Sequence, residues 1–309
     1  MTDGVILVTG ASGCLGRAVV ARAPERWRER LWTPAHVELD LLDPEQWPRA
    51  RFETVAGVIH LAALVHGPGR RADAATISRA NSDATARLRA LIPGRPFVLA
   101  STLSVHAPEI EGSIDERTPV APGNDYGRSK AAAEREVIGQ GGTALRFPIC
   151  YGPGDRGNIA RLAALLPKLG PIFPGRPEAE LPVLGSANAA DAIWRALERP
   201  EASGQVFVVA DSPSTSMATL VNELCGVLGR PAPAWALPLA CWQAVAALLR
   251  LTERIAPGLP LPRASAVSHL HGRLQVRLDR ARQVLGYQAA TPLAAGLAAQ
   301  FAAAGGGTR

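Results

Sequence analysis

A chain of 309 residues that is 47% hydrophobic and 19% charged can bury one large core or two modest ones, which excludes disorder and collagen. The 33 basic and 27 acidic residues give a formal charge of +6. Lysine occurs only at Lys130 and Lys168, so the surplus reflects arginine-rich composition rather than a basic tract, and aromatic platforms are few. Nucleic acid is therefore not an expected partner.

Cys14, Cys150, Cys225 and Cys241 are widely spaced, with neither metal-ligand spacing nor a disulfide framework, which fits a reducing cytoplasm and no metal. Met1 leads almost directly into an apolar run, so no export signal is expected.

In chain order, Val5 to Val8 is a β-branched run that ends at Thr9. Gly10, Gly13 and Gly16 follow, and then a helical stretch through Val20. Glycine at these positions lets backbone approach a pyrophosphate, and the helix behind the turn points free N–H groups at the anion. This strand, turn and helix predict dinucleotide binding. No acid stands at the end of the second strand, where the sequence reads Arg30-Leu31-Trp32-Thr33-Pro34. Arg17 and Arg30 are the cations expected at a 2′-phosphate, a lean toward NADP over NAD.

Further strands are predicted at Val55 to Leu61, Pro96 to Leu99, Thr143 to Phe147 and Gln205 to Val209, with a helix over Ala74 to Leu91. Strands alternating with helices imply an α/β fold with a parallel sheet covered on both faces. Tyr126 and Lys130 lie four positions apart at the head of a predicted helix, so phenol and ammonium share one face. A nearby ammonium favours phenolate and suits the tyrosine to acid/base work at a carbinol oxygen. The apolar stretch Trp235 to Leu251 is broken by Pro238, Gln243 and Arg250 and is too short for a membrane span. A buried helix is expected there, with an interfacial or substrate-covering helix as the alternative.

Thr9-Gly10-x-x-Gly13-x-x-Gly16, His60-Leu61-Ala62-Ala63, Leu99-Ala100-Ser101-Thr102, Tyr126-x-x-x-Lys130 and Arg146 followed by Tyr151-Gly152-Pro153-Gly154 occur in this order. The series resembles the extended short-chain dehydrogenase/reductase family, in its epimerase/dehydratase and 3β-hydroxysteroid dehydrogenase branch, from Val5 to about Leu297. The resemblance implies a doubly wound (Rossmann) domain over residues 1–153 with 189–212. It also implies a smaller, mainly helical substrate lobe over 154–188 and 213–309, and a homodimer.

The resemblance further implies that Tyr126 is the acid/base, that Lys130 holds the nicotinamide ribose, and that Thr102 bonds the reacting oxygen, with Ser101 as the alternative. Gly10, Gly13, Cys14, Leu15, Gly16, Arg17, Asp40, Leu41, Leu61, Ala62, Ala63, Ser101 and Ile149 complete the expected cofactor contacts. His60 reads as a packed strand residue. Asn81 reads as a cap or buried bridge, and Tyr151 as lining the nicotinamide end or packing.

In sugar-nucleotide enzymes of this family an Arg grips the substrate diphosphate, and Leu181 occupies that region here, with Arg161, Arg176 and Arg263 out of register. The expected function is NAD(P)-dependent interconversion of a secondary alcohol and a ketone on a small, partly apolar molecule. A nucleotide-sugar 4-epimerase is the alternative, and a non-catalytic dinucleotide-binding or RNA-associated protein is the reading from another class.

Overall fold

The computed structural model describes residues 4–65, 72–108, 110–255 and 272–302. Among the described residues the strands in chain order are β1 (Val5–Thr9), β2 (Leu31–Trp32), β3 (Val55–His60), β4 (Phe97–Thr102), β5 (Gly112–Ile114), β6 (Thr143–Phe147), β7 (Ile149–Tyr151), β8 (Ile172–Phe173), β9 (Glu180–Leu181), β10 (Val183–Gly185), β11 (Val206–Val208), β12 (Thr215–Ser216), β13 (Trp235–Ala236) and β14 (Leu274–Val276). The α-helices are α1 (Cys14–Ala21), α2 (Glu25–Arg28), α3 (Arg49–Phe52), α4 (Ala74–Ser78), α5 (Ala84–Leu91), α6 (Asp125–Gly139), α7 (Asn158–Leu169), α8 (Ser186–Glu198), α9 (Met217–Val227), α10 (Leu239–Ile255), α11 (Asp279–Leu285) and α12 (Leu293–Ala302).

The central sheet runs β11-β6-β4-β3-β1-β2, and every pairing is parallel. Its strands are apolar on both faces: Ile6, Leu7, Val8, Val58, Ile59, Leu99 and Leu145 are all almost fully buried, as a sheet covered by helices on each side requires. One core cluster joins α1 and α8 to the sheet through Val19, Ile193 and Trp194. Another joins α5 and α6 through Leu88, Ala133 and Val137. This is the doubly wound Rossmann arrangement. The chain steps from β1 outward to β2 and then back across to β3, so the strand order reverses between β1 and β3. In such sheets the crevice at the carboxyl ends of the strands beside that reversal receives the ligand.

The chain is helical throughout the predicted Ala74 to Leu91, with a π-helical turn at Arg79–Asp83 between α4 and α5. One expectation needs correction. The stretch Trp235 to Leu251 is not a buried helix. Trp235 pairs with Ile172, α10 starts only at Leu239, and Trp235, Leu248 and Leu251 are 68%, 61% and 51% exposed. The helix lies on the surface with Leu249 turned inward. The proline-rich segment after it, with Arg263, falls outside the described residues. Among the described residues no helix is long and apolar enough to cross a membrane.

Candidate active site

The glycine turn is held by backbone. Gly10 adopts φ +69°, and a Cβ there would stand 2.8 Å from the Ala62 amide nitrogen, so the ends of β1 and β3 touch through bare main chain. A Cβ on Gly16 would overlap the Gly10 carbonyl oxygen and lie 2.5 Å from Ala11 Cα. The helix α1 starts at Cys14 with Gly13 as its N-cap and no side chain capping it, which leaves its first amides to an anion. A dinucleotide pyrophosphate therefore fits this cradle, with Leu61, Ala62 and Ala63 half-buried beside it. Gly16→Ala is expected to cost about 1–3 kcal/mol of stability through overpacking and to weaken dinucleotide binding, as thermal melts and calorimetry would read; unchanged values of both would refute the close-approach argument.

The two arginines expected at a 2′-phosphate are elsewhere. The exposed Arg17 lies against Gly154, in the loop after β7. The Arg30 carbonyl accepts from the Ile6 amide, 2.8 Å away, which puts its backbone at the amino end of β2 rather than the ligand end. Asp40 lies past β2, its carboxylate taking the Leu42 amide at 2.8 Å, with the half-buried Leu41 next to it.

The helix α6 presents the tyrosine and lysine. Asn124 caps it by accepting from the Gly127 amide at 2.7 Å, and a Cβ on Gly127 would strike the Ser104 carbonyl. The first turn of α6 is thus pressed onto the turn that follows β4. Tyr126 is half-buried there and Lys130 is 1% exposed. Burial pushes the Tyr126 phenol up to about 12, with Cys150 adding to the rise. The lowering expected from Lys130 does not act on the phenol in this arrangement. Lys130 itself is brought down to about 8 by burial, with Glu134 acting against that.

Thr102 ends β4 half-buried, its hydroxyl accepting from the Ser104 amide at 3.1 Å and donating to Ser104 Oγ at 3.2 Å. Ser101, the alternative, is turned away: its hydroxyl donates to Glu134 Oε1 at 2.5 Å. Glu134 and Arg146 form a buried ion pair, 2.7 Å between Arg146 Nη2 and Glu134 Oε2. Arg146 also reaches His106 Nε2 at 3.3 Å, while His106 Nδ1 faces the Pro119 carbonyl at 3.0 Å. This Ser101, Glu134, Arg146 and His106 cluster escaped the sequence reading. The available signal was an arginine inside an otherwise apolar strand, which must find a counter-charge.

The remaining residues sort by packing. Tyr151 is fully buried and donates to Asp211 Oδ2 at 2.7 Å, so it packs rather than lining the cleft. Ile149 and Cys14 stay half-buried, and burial raises the Cys14 thiol to about 11. Leu181 is 8% exposed within an apolar cluster that contains Phe173 and Met217. Asn81 sits within the π turn rather than at a helix start. It donates to the Leu64 carbonyl at 2.9 Å and to Ser129 Oγ at 3.0 Å, and accepts from the Leu64 amide at 2.6 Å.

A UDP-glucose 4-epimerase from Vibrio cholerae is 28% identical over 248 residues, 75% of this chain and 71% of that protein. A ceramide reductase from Caulobacter vibrioides is 31% identical over 186 residues, 54% of this chain and 53% of that protein. The solved structure of MoeE5 in complex with UDP-glucose and NAD shares the fold, with TM-score 0.69 and 23% identity over 97% of this chain and 98% of that one. A family model matches residues 6–210, and the chain belongs to the NAD dependent epimerase/dehydratase family.

Proposed function

We propose that this protein is a dinucleotide-dependent oxidoreductase that interconverts a secondary alcohol and a ketone on a small, partly apolar molecule. One observation carries the reading: Tyr126 and Lys130, one turn apart on α6, stand against the turn after β4, two strands along from the glycine cradle. The nicotinamide supplies the hydride donor or acceptor, and the protein supplies position and field. Tyr126 moves the proton at the carbinol oxygen, Thr102 bonds that oxygen, and Lys130 holds positive charge beside the ribose. NAD(H) is proposed ahead of NADP(H), because Arg17 and Arg30 stand away from the ligand end of β2. Residues 154–188 and 213–309 are proposed as the lobe that holds the substrate.

A second reading, a nucleotide-sugar 4-epimerase, is favoured by the similarity to the Vibrio cholerae enzyme. Against it, the side chain at Leu181 is apolar and packed, where a guanidinium would grip a diphosphate bidentately. Following absorbance at the NAD(P)H band with a panel of aliphatic and steroidal ketones, and separately with UDP-glucose, tests the choice. Cofactor consumption in step with ketone loss is expected. Conversion of UDP-glucose to its 4-epimer with no net absorbance change would replace the proposal by the second reading. No turnover with a dinucleotide bound would favour a non-catalytic role.

A further inference from the structure

We infer that His60 is a positioning residue that shapes the dinucleotide cradle. The inference rests on the reading of Gly10 to Gly16 and Leu61 to Ala63 as that cradle.

His60 ends β3 with no exposed surface, and both ring nitrogens are engaged. Nδ1 lies 2.7 Å from Thr9 Oγ1 and Nε2 lies 2.9 Å from Thr85 Oγ1. The direction of each bond follows from counting protons. The Thr85 hydroxyl donates its one hydrogen to the Asn81 carbonyl at 2.6 Å, so toward His60 its oxygen can only accept. The imidazole is therefore protonated at Nε2, and its Nδ1 lone pair accepts the Thr9 hydrogen. With that hydrogen committed, the Thr9 lone pairs are free for the two amides that reach it, Leu61 and Ala62, each at 3.2 Å.

The opposite tautomer fails on the same count. It would set three N–H groups on one Thr9 oxygen and leave the Nε2 lone pair facing a hydroxyl whose hydrogen is already used. A doubly protonated ring is disfavoured by burial and by the nearby Lys130 charge.

The consequence falls on backbone that a ligand would touch. Thr9 immediately precedes Gly10, and the Ala62 amide is the atom a Gly10 side chain would strike. One oxygen therefore pins both walls of the crevice at the strand reversal. The other end of the relay is the π turn, where Asn81 reaches the Leu64 backbone and Ser129 Oγ, and the Ser129 hydroxyl donates to the Tyr126 carbonyl at 2.8 Å. The same buried chain thus ties the cradle to the helix that carries Tyr126.

The test uses full-length protein with NADH and NADPH as calorimetric probes, and His60→Phe, His60→Asn and Thr85→Val as variants. His60→Phe leaves the Thr9 hydroxyl without its acceptor and is expected to raise the dinucleotide Kd about tenfold. His60→Asn, whose side-chain oxygen can stand near the Nδ1 position, is expected to restore most of the affinity. If His60→Phe does not fold, Thr85→Val serves, with a smaller rise in Kd expected. Long-range 15N–1H correlation spectra of the unliganded protein should show the buried histidine protonated at Nε2 and shifted away from that tautomer in Thr85→Val. Protonation at Nδ1 in the wild type overturns the inference. So do variants whose melting temperatures fall while their Kd matches that of the wild type. Wild-type protein that binds neither dinucleotide overturns the cradle assignment itself, and the inference with it.

Discussion

Tyr126→Phe is expected to lower turnover by about 10²–10⁴-fold, the usual contribution of a positioned acid or base, while dinucleotide affinity stays near that of the wild type. Phenylalanine keeps the ring of the half-buried Tyr126 and removes only the hydroxyl. The cradle proposed for the pyrophosphate lies on β1, α1 and β3, so on that proposal cofactor affinity has no direct dependence on that oxygen. Steady-state kinetics beside calorimetry separates the two effects. Unchanged turnover would remove Tyr126 from the chemistry, whereas a parallel loss of cofactor affinity would recast it as a binding residue. Burial sets the free phenol near 12, so around neutral pH the resting side chain is protonated. In the proposed reaction such a side chain would donate in the direction of ketone reduction, and oxidation would require the proton to leave first.

Glu134→Ala is expected to destabilise the fold by about 3–5 kcal/mol, the penalty for stranding one member of a buried ion pair. Arg146 would keep its charge at 4% exposure with a neutral imidazole as neighbour, since burial lowers the His106 pKa. The Ser101 hydroxyl would lose its acceptor as well. Pairing Glu134→Leu with Arg146→Met should recover part of the loss, because it removes both desolvated charges at once. Urea denaturation of the three proteins measures this, and a cost below about 1 kcal/mol for Glu134→Ala, the range of an exposed pair, would show that the pair is solvated in solution. Glu134 also lies one turn beyond Lys130 and raises its pKa, so its removal should push the lysine further toward the neutral amine.

The part of the site built from local signals was legible in advance. Val5 to Gly16 encodes strand, turn and helix within twelve successive positions, and Tyr126 and Lys130 sit on one face simply because a helix turns every 3.6 residues. What could not be read locally was where long side chains go. Arg17 is adjacent to the glycine turn in sequence, yet its guanidinium crosses to Gly154. The sequence also left Ser101 open as the alternative to Thr102, until Glu134 on a different element claimed its hydroxyl. The apolar composition of α10 suggested burial, but whether an apolar helix is covered depends on which elements reach it, and Leu248 and Leu251 remain at the surface.

The amino-acid sequence by itself determined the parallel α/β architecture, the glycine turn and the tyrosine and lysine pair, because each depends on periodicity or spacing within a short stretch of chain. Only the tertiary structure decided the proton order through Thr9, His60, Thr85 and Asn81 and the pairing of Glu134 with Arg146. Those bonds join residues up to 51 positions apart, and their existence depends on burial that only the packed sheet and helices create. A buried polar atom must find a partner wherever the fold brings one within reach.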